Sequence, residues 1–249
     1  MERNLLIAIR FVGTNYHGFQ VQQNALSICT VFQDSVEKVF GVRHGVKGCS
    51  RTDAGVHAGK YCVSMKTENP LPCEKIPPAL NAHLPDDIAA LDCAEVPAEF
   101  HARYSSTGKE YLYRLRTNRL RDPFSANLCY RVDYNVDASL LHREAQSFVG
   151  RHDFAAFQAK GGNIDDTVRT VTDFSVTRSG DMVNFLVRGD GFLYKMVRIM
   201  VGTLLHISAG RIPQGAIPGI IAGRDRANAG KTAPACGLYL NDVFYRDSG

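Results

Sequence analysis

Hydrophobic and polar positions in the first part of the chain show two patterns, one typical of strands and one typical of helices. The apolar run Leu5–Phe11 is short and rich in branched residues, which predicts a buried strand. Along Ile28–Phe40 apolar residues recur three and four positions apart, which predicts a helix with one buried face. Ser27 before it and Gly41 after it are typical of residues that begin and end helices. Strands are also predicted for "YCVSMKT" and "DIAALDCAEV", with a short helix near 77–82 between them.

A similar order of elements returns in the rest of the chain. Lys109–Thr117 is predicted to be a strand, and Asp137 is predicted to begin a helix that runs to Val149. The segment "TVRTVTDFSVTRSGDMVNFLVRG" predicts a hairpin that turns at 179–181. "FLYKMVRIMVGTLLHISAG" is apolar on nearly every side, which predicts a long buried helix, and "GLYLNDVFY" predicts a last strand.

These elements favour one fold class over another. Hairpins and mixed spacing indicate an α+β fold, with a mixed, mainly antiparallel sheet flanked by helices, and not a doubly wound parallel sheet. Each half reads as strand, helix, strands, helix and strand, without visible sequence repetition. We therefore expect two halves, residues 1–104 and 105–249.

Composition narrows the functional classes. Of 249 residues, 45% are hydrophobic and 22% are charged, which is ordinary for a globular protein. The seven cysteines are odd in number and show no C-x-x-C spacing, so we expect reduced thiols and neither a zinc cage nor a disulfide frame. The eight scattered histidines likewise predict no metal site. No apolar run approaches the length of a membrane span or a secretory signal, and we expect a cytoplasmic protein without membrane contact.

Charge is unevenly distributed. Residues 1–104 carry 10 Lys and Arg against 11 Asp and Glu, whereas residues 105–249 carry 19 against 14. The densest basic run, "RLRTNRLR" over 114–121, has four arginines in eight residues. It can be a solvated face or a surface that contacts phosphates, and both interpretations stay open.

The stretch "CSRTDAGVHAGK", residues 49–60, concentrates hydrogen-bonding side chains between two predicted strands. Asp53 followed by Ala and Gly is good turn material, and from spacing alone that structural role is the stronger interpretation. Arg51 lies two residues away and favours an ionised carboxylate, which can act as a nucleophile or general base. Thr52 and His57 add further polar groups beyond what a turn needs.

The residues of this stretch, "RTDAGVHA", closely resemble the signature of the TruA-type tRNA pseudouridine synthases. Matching segments follow in the order of that family along nearly the whole chain: "GTNYHGFQVQ", "ALNAHLPDDI", "FHARYSSTGKEYLYRL", "GRHDFAAF", "GFLYKMVRIMVGTL" and "TAPACGLYL". An ordered set of this extent is far more specific than one motif.

The resemblance implies an enzyme that isomerises uridine to pseudouridine at positions 38, 39 and 40 in the anticodon stem-loop of tRNA. It also implies two similar halves around a central catalytic cleft, a homodimer, and no metal or organic cofactor. Asp53 matches the catalytic aspartate of the family, and Arg51 matches the arginine that pairs with it. Tyr111 matches the tyrosine that stacks on the target base, and Arg198 matches a second arginine of the active site.

Several assignments keep a structural alternative. On spacing alone Tyr111 is a core tyrosine of a strand, and only the resemblance reverses that interpretation. Lys195 can contact phosphate or extend as a surface lysine, and His57 is expected to support the loop more than to transfer protons. Ser50 replaces a common Gly before the motif, and Tyr61 and Ser64 replace a frequent Gln and His, which leaves the hydrogen bonding behind the loop open.

Two other function classes fit parts of the sequence. A tRNA-binding or RNA-folding module would share the basic second half but would not need Arg51, Asp53 and Tyr111 together. A nucleotide-binding protein could use the Gly-Lys-Thr of "NAGKTAP", but a phosphate-binding loop needs a Gly where this chain has Asp225. The enzyme is therefore the leading hypothesis.

Overall fold

The computed structural model describes residues 2–161 and 166–246, which fold into two compact units. The first unit holds the residues up to Thr107 together with those from Tyr239 onward, and the second holds Gly108–Leu238. Both combine helices with strands that pair mainly antiparallel, so the predicted α+β fold class is confirmed. The division into residues 1–104 and 105–249 as halves of a catalytic domain stays a prediction.

An antiparallel sheet forms the frame of the first unit. Strand β1 (Arg3–Phe11) lies between β3 (His57–Thr67) and β4 (Ile88–Val96), and all three agree with the predicted strands. The short strand β2 (Val46–Gly48) pairs antiparallel with β3, and β10 (Leu238–Tyr245) pairs parallel with it. The sequence at 49–56 therefore connects two neighbouring strands of this sheet.

Helix α1 (Ile28–Phe40) has the predicted bounds and caps. The Ser27 hydroxyl accepts a hydrogen bond from the backbone N–H of Thr30 at 3.1 Å, and Gly41 ends the helix in the left-handed region at φ 78°. The residues of its apolar face are fully buried: Ile28, Phe32 and Val36. Each such side chain contributes about 1.5–3 kcal/mol to folding. Helix α2 (Ile76–Asn81) packs against β4, close to its predicted position.

The second unit also contains strands that pair mainly antiparallel. Its strand order is β5 (Ser106–Thr117), β9 (Met182–Gly189), β8 (Val168–Ser179) and β7 (Gly150–Asp153). The short strand β6 (Tyr130–Val132) pairs parallel with β5. The predicted hairpin is confirmed, because β8 and β9 are joined by a turn that contains a glycine in the left-handed region.

Three helices complete the second unit, and two differ from their predicted bounds. Helix α3 (Ala138–Ala145) was predicted to continue to Val149 but gives way to a 3-10 turn, in which Phe148 is fully buried against two other phenylalanines. Helix α4 (Met196–Ser208) is buried as predicted but starts four residues late. Lys195 before it has φ 59°, which cannot continue a right-handed helix. Helix α5 (Ile217–Gly223) was not predicted.

Candidate active site

Asp53 lies half-buried in the loop that joins β2 to β3. The backbone N–H of Val56 donates to the Asp53 carbonyl at 3.2 Å, and Gly55 has φ 76°. This is a tight turn that requires glycine at its third position. Because backbone groups close the turn, the turn itself does not dictate a carboxylate at position 53.

Two glycines of the segment "GTNYHG" pack directly on this loop. A Cβ atom on Gly13 would lie 1.9 Å from the carbonyl oxygen of Val56. A Cβ atom on Gly18, which has φ 83°, would lie 2.2 Å from the carbonyl oxygen of Thr52. Only glycine permits so close an approach of two backbones. The sequence analysis noted this segment but did not predict that it holds the Asp53 loop in place.

Hydrogen bonds fix the glycine segment to the sheet. The Gly13 N–H donates to Nδ1 of His57 at 3.0 Å, and the Tyr16 hydroxyl donates to Asp87 at 2.6 Å. The Tyr16 carbonyl accepts the N–H of Gly55 at 3.2 Å, and burial together with the bond to Asp87 raises the Tyr16 pKa. His57 is fully buried, at the first position of β3, and its ring lies 4.6 Å from that of Tyr239. The hydrogen bond from the Gly13 N–H to His57 connects the glycine segment, which packs on the Asp53 loop, to β3.

Tyr61 is hydrogen-bonded to the start of the Asp53 loop. Its hydroxyl donates to the backbone carbonyl of Ser50, and its ring stacks on Phe19 with 4.3 Å between centroids. Ser64 is a buried residue of β3, and its hydroxyl accepts a hydrogen bond from the backbone N–H of Ala102 at 3.0 Å. The Tyr61 hydroxyl therefore holds the start of the loop, whereas the Ser64 hydroxyl holds the turn at residue 102.

Next to Asp53 the structure leaves one polar group unsatisfied. Arg51 is exposed, and the Oγ1 atom of Thr52 is buried without a hydrogen-bond partner among the described residues. A buried hydroxyl in this state costs about 1–3 kcal/mol. Such an atom is an exception in a folded protein and needs an explanation in the context of its site.

Tyr111 and Tyr113 lie two residues apart on β5 in the second unit, and their surroundings differ. Tyr111 is 7% exposed and meets Phe192 edge-to-face at 5.2 Å. Tyr113 is fully buried, its hydroxyl donates to the Pro234 carbonyl at 2.9 Å, and burial raises its pKa. Beside Tyr111, the buried carboxylate of Glu110 pairs with an arginine of β9, a contact that the sequence analysis missed.

Arg198 and Lys195 mark the start of α4. Nε of Arg198 donates to the Ala233 carbonyl at 2.7 Å, and the Ala233 N–H donates back to the Arg198 carbonyl at 3.0 Å. The Lys195 ammonium lies 4.7 Å from the centroid of the Tyr194 ring, within the range of a cation–π contact. Arg198 thus links the helix to the segment that contains the Gly-Lys-Thr sequence.

In the basic run 114–121, one arginine forms ion pairs within the protein and others are exposed. Arg116 pairs with Asp122 and Asp181, the second at 2.7 Å, and these contacts fix the loop after β5. Arg119 and Arg121 are exposed. The exposed arginines fit either interpretation of the run, and both stay open.

Two features are absent from residues 2–161 and 166–246. No group of three or more His, Cys, Asp or Glu side chains is arranged to hold a metal ion there. None of the helices in this part of the chain combines the length and apolar character needed to cross a membrane. All seven cysteines are free thiols in this structure, and five of them are buried.

Comparisons with known proteins agree on one family. The model of a family described as tRNA pseudouridine synthase matches residues 7–105 and 145–246. A tRNA pseudouridine synthase A of Ruminiclostridium cellulolyticum is 43% identical over 98% of this chain and the whole of its own length. The enzyme of that name from Thermoanaerobacter sp. is 40% identical over the same shares of the two chains.

Among solved structures, the chain is similar to one chain of an H/ACA ribonucleoprotein bound to a substrate RNA containing 2'-deoxyuridine. That match has a TM-score of 0.42 and 12% identity, and covers 97% of this chain and 49% of the other. It is too distant to bear on the site.

Proposed function

Because the chain belongs to the tRNA pseudouridine synthases and is thus an enzyme that isomerises uridine to pseudouridine, we propose that it acts on positions 38, 39 and 40 of the anticodon stem-loop of tRNA. We propose further that Asp53 is the catalytic carboxylate. The observation that carries this assignment is the R-T-D sequence of residues 51–53, in a chain similar to tRNA pseudouridine synthases over almost its full length.

The reaction requires one positioned carboxylate from the protein. The bond between N1 of uracil and C1′ of ribose breaks, the base turns, C5 bonds to C1′, and the proton lost from C5 is balanced by one gained at N1. No atom is gained or lost, and nothing is oxidised. Asp53 can attack C1′, attack C6 of the base, or remove a proton from C2′. All three routes use an ionised carboxylate, and Arg51 is proposed to pair with it and orient it.

The rigidity of the Asp53 loop supports this role. Gly13 and Gly18 hold its backbone at distances that no other residue permits, and Gly13 is itself bonded to His57. A catalytic group must be held close to its productive position, because a displacement of about 1 Å can cost roughly 100-fold in rate. The unsatisfied hydroxyl of Thr52, next to Asp53, suits a site that gains a partner when substrate binds.

The remaining residues are proposed to handle the base and the backbone of the RNA. A uridine inside a stem must leave the stack, at a cost of a few kcal/mol. Tyr111 stacking on that base recovers about 1–3 kcal/mol. Arg198 is proposed to contact the substrate, and Lys195 is proposed to contact a phosphate. As in the family that it resembles, the enzyme is proposed to be a cytoplasmic homodimer that needs no cofactor.

Substitution of Asp53 tests the catalytic assignment. Asp53→Asn keeps the size of the side chain and removes the charge, so pseudouridine formation on unmodified tRNA should fall by at least about 100-fold. Binding of tRNA, measured by filter retention, should stay within about threefold of the wild type. Asp86→Asn, which changes an exposed aspartate of the same unit, is the matched control. Full activity of Asp53→Asn would remove Asp53 from the mechanism.

A further inference from the structure

A cavity of about 470 Å³ opens in the first unit beside Arg51. Its walls come from Cys29 of α1 and from three segments: residues 19–21 of the glycine-rich loop, residues 46–51 before Asp53, and residues 101–104. The volume lies within the roughly 300–1,000 Å³ that small-molecule sites occupy. The sequence analysis gave no function to the third segment, "HARY".

The cavity is lined by positive charge. Lys47, Arg51 and Arg103 are among its lining residues, and no acidic residue of the described chain lines it. The histidine in its wall responds to that charge: burial lowers the pKa of His101, and the nearby Lys47 and Arg103 lower it further. Such a cavity attracts anions.

Tyr104 gives the cavity an exposed aromatic ring. The side chain is 77% exposed, although most large aromatic residues bury themselves. The His101 ring lies 4.4 Å from its centroid, and the Arg103 guanidinium lies 5.8 Å from it. Aromatic rings beside cations are the feature with which proteins bind single-stranded nucleic acids, because bases stack on the ring and phosphates meet the cations.

The turn that carries this tyrosine is firmly held. The Ala102 N–H donates to the Ser64 hydroxyl at 3.0 Å, and the Ala102 carbonyl accepts from the Tyr245 hydroxyl at 2.8 Å. Within the turn, the Ser105 N–H donates to the His101 carbonyl at 2.9 Å. The exposed ring is therefore presented on a fixed backbone, which lowers the entropy that binding would cost.

We propose that this cavity binds a nucleotide of the tRNA substrate that neighbours the target uridine, with its base stacked on Tyr104 and its phosphate held by Lys47 and Arg103. The assignment rests on the proposed function, since Arg51 of the R-T-D sequence lines the cavity and belongs to the loop that carries Asp53. This base-binding position is formed by residues of the first unit.

Binding of unmodified tRNA to Tyr104 variants tests this site. Tyr104→Ala should weaken binding roughly 5- to 150-fold, which is the range of one base stack converted at tenfold per 1.4 kcal/mol. Tyr104→Phe keeps the ring and should bind like the wild type. Tyr134→Ala, which removes a partly exposed tyrosine elsewhere, is the control and should also leave binding unchanged. Equal binding by Tyr104→Ala and the wild type would overturn the proposal.

The salt dependence of binding tests the phosphate contact. Lys47→Ala should reduce the slope of log K against log salt by about 1, as expected for one lost phosphate contact. Lys66→Ala, an exposed lysine paired with Glu2 at 3.0 Å, should leave the slope unchanged. An unchanged slope for Lys47→Ala would remove Lys47 from the site.

Different results would contradict the proposed target positions and the proposed nucleotide-binding cavity. If the wild type makes no pseudouridine at positions 38, 39 and 40, the proposed target is wrong, but the binding assay still decides whether the cavity holds RNA. If the wild type is active and Tyr104→Ala changes only the oligomeric state in light scattering, the cavity is an interface between copies of this chain and the nucleotide proposal is wrong.

Discussion

Glycines press against a neighbouring backbone in both units, but with different results. In the first unit Gly13 and Gly18 pack on the loop that presents Asp53. In the second unit a Cβ atom on Gly202 would lie 1.7 Å from the Lys231 carbonyl oxygen, and one on Gly230 would lie 2.5 Å from the backbone of Thr203 in α4. The first arrangement holds a half-buried carboxylate, whereas the second closes a buried helix against a loop.

The second arrangement also explains the Gly-Lys-Thr sequence. The Gly230 N–H donates to the Thr203 hydroxyl at 2.9 Å, and that hydroxyl is fully buried. In a phosphate-binding loop this N–H would point to the ligand instead. The comparison shows that a closely packed glycine marks a tight backbone contact, and that only the side chains beside it indicate chemistry.

Paired alanine substitutions can break this comparison, and they have the largest expected effect. Gly13→Ala and Gly202→Ala both force a backbone apart and should each lower the free energy of unfolding by about 1–3 kcal/mol. Only Gly13→Ala should also reduce kcat, by about 100-fold, because it displaces the Asp53 loop. Urea denaturation and single-turnover kinetics measure the two effects. A folded Gly13→Ala protein with normal kcat would contradict the role given to the glycine segment.

Two tyrosines of β5 sharpen the comparison within the second unit. Tyr111→Ala should lower activity about tenfold or more through lost stacking, whereas Tyr111→Phe keeps the ring and should lose less. Tyr113→Phe removes only the hydroxyl that reaches Pro234, so it should reduce stability by about 0.5–1.5 kcal/mol and leave kcat unchanged. Initial rates on unmodified tRNA distinguish them. Full activity of both Tyr111 variants would show that the residue serves only the core.

The smallest effect is expected where a glycine has room around it. Gly41 at the end of α1 has φ 78°, but nothing lies within 4 Å of an added Cβ atom. Gly41→Ala should therefore cost only the backbone strain, about 1–2 kcal/mol, with normal kcat. Thermal unfolding and the same rate assay check this. A loss of activity here would mean that general destabilisation, and not displacement of the Asp53 loop, explains the effect at Gly13.

Much of the fold could be predicted, because local signals agreed with the tertiary structure. Helix α1 carries its own caps at Ser27 and Gly41, and its bounds are as predicted. Helices α3 and α4 differ because burial of Phe148 and the left-handed backbone of Lys195 depend on the surrounding structure. The short strands β2, β6 and β7 were missed, since three or four residues carry little periodicity.

The site was predictable in part. From the residues alone Asp53 was a plausible carboxylate but a more probable turn residue, and the family resemblance changed that balance. The contacts that hold its loop could not be predicted, because Gly13, Gly18 and Asp87 are distant from it in sequence. Ser50, which replaces a common Gly, is held through its backbone carbonyl by Tyr61, and this contact places no demand on its side chain.

The central claim is that Asp53 catalyses the isomerisation of uridines in the anticodon stem-loop, and mapping of pseudouridine at nucleotide resolution tests it most directly. Unmodified tRNA is incubated with the wild type, Asp53→Asn or Asp86→Asn, and each uridine is then scored. We expect pseudouridine at one or more of positions 38, 39 and 40 with the wild type and Asp86→Asn, and none with Asp53→Asn. Modification only at other positions, or equal modification by Asp53→Asn, would contradict the claim.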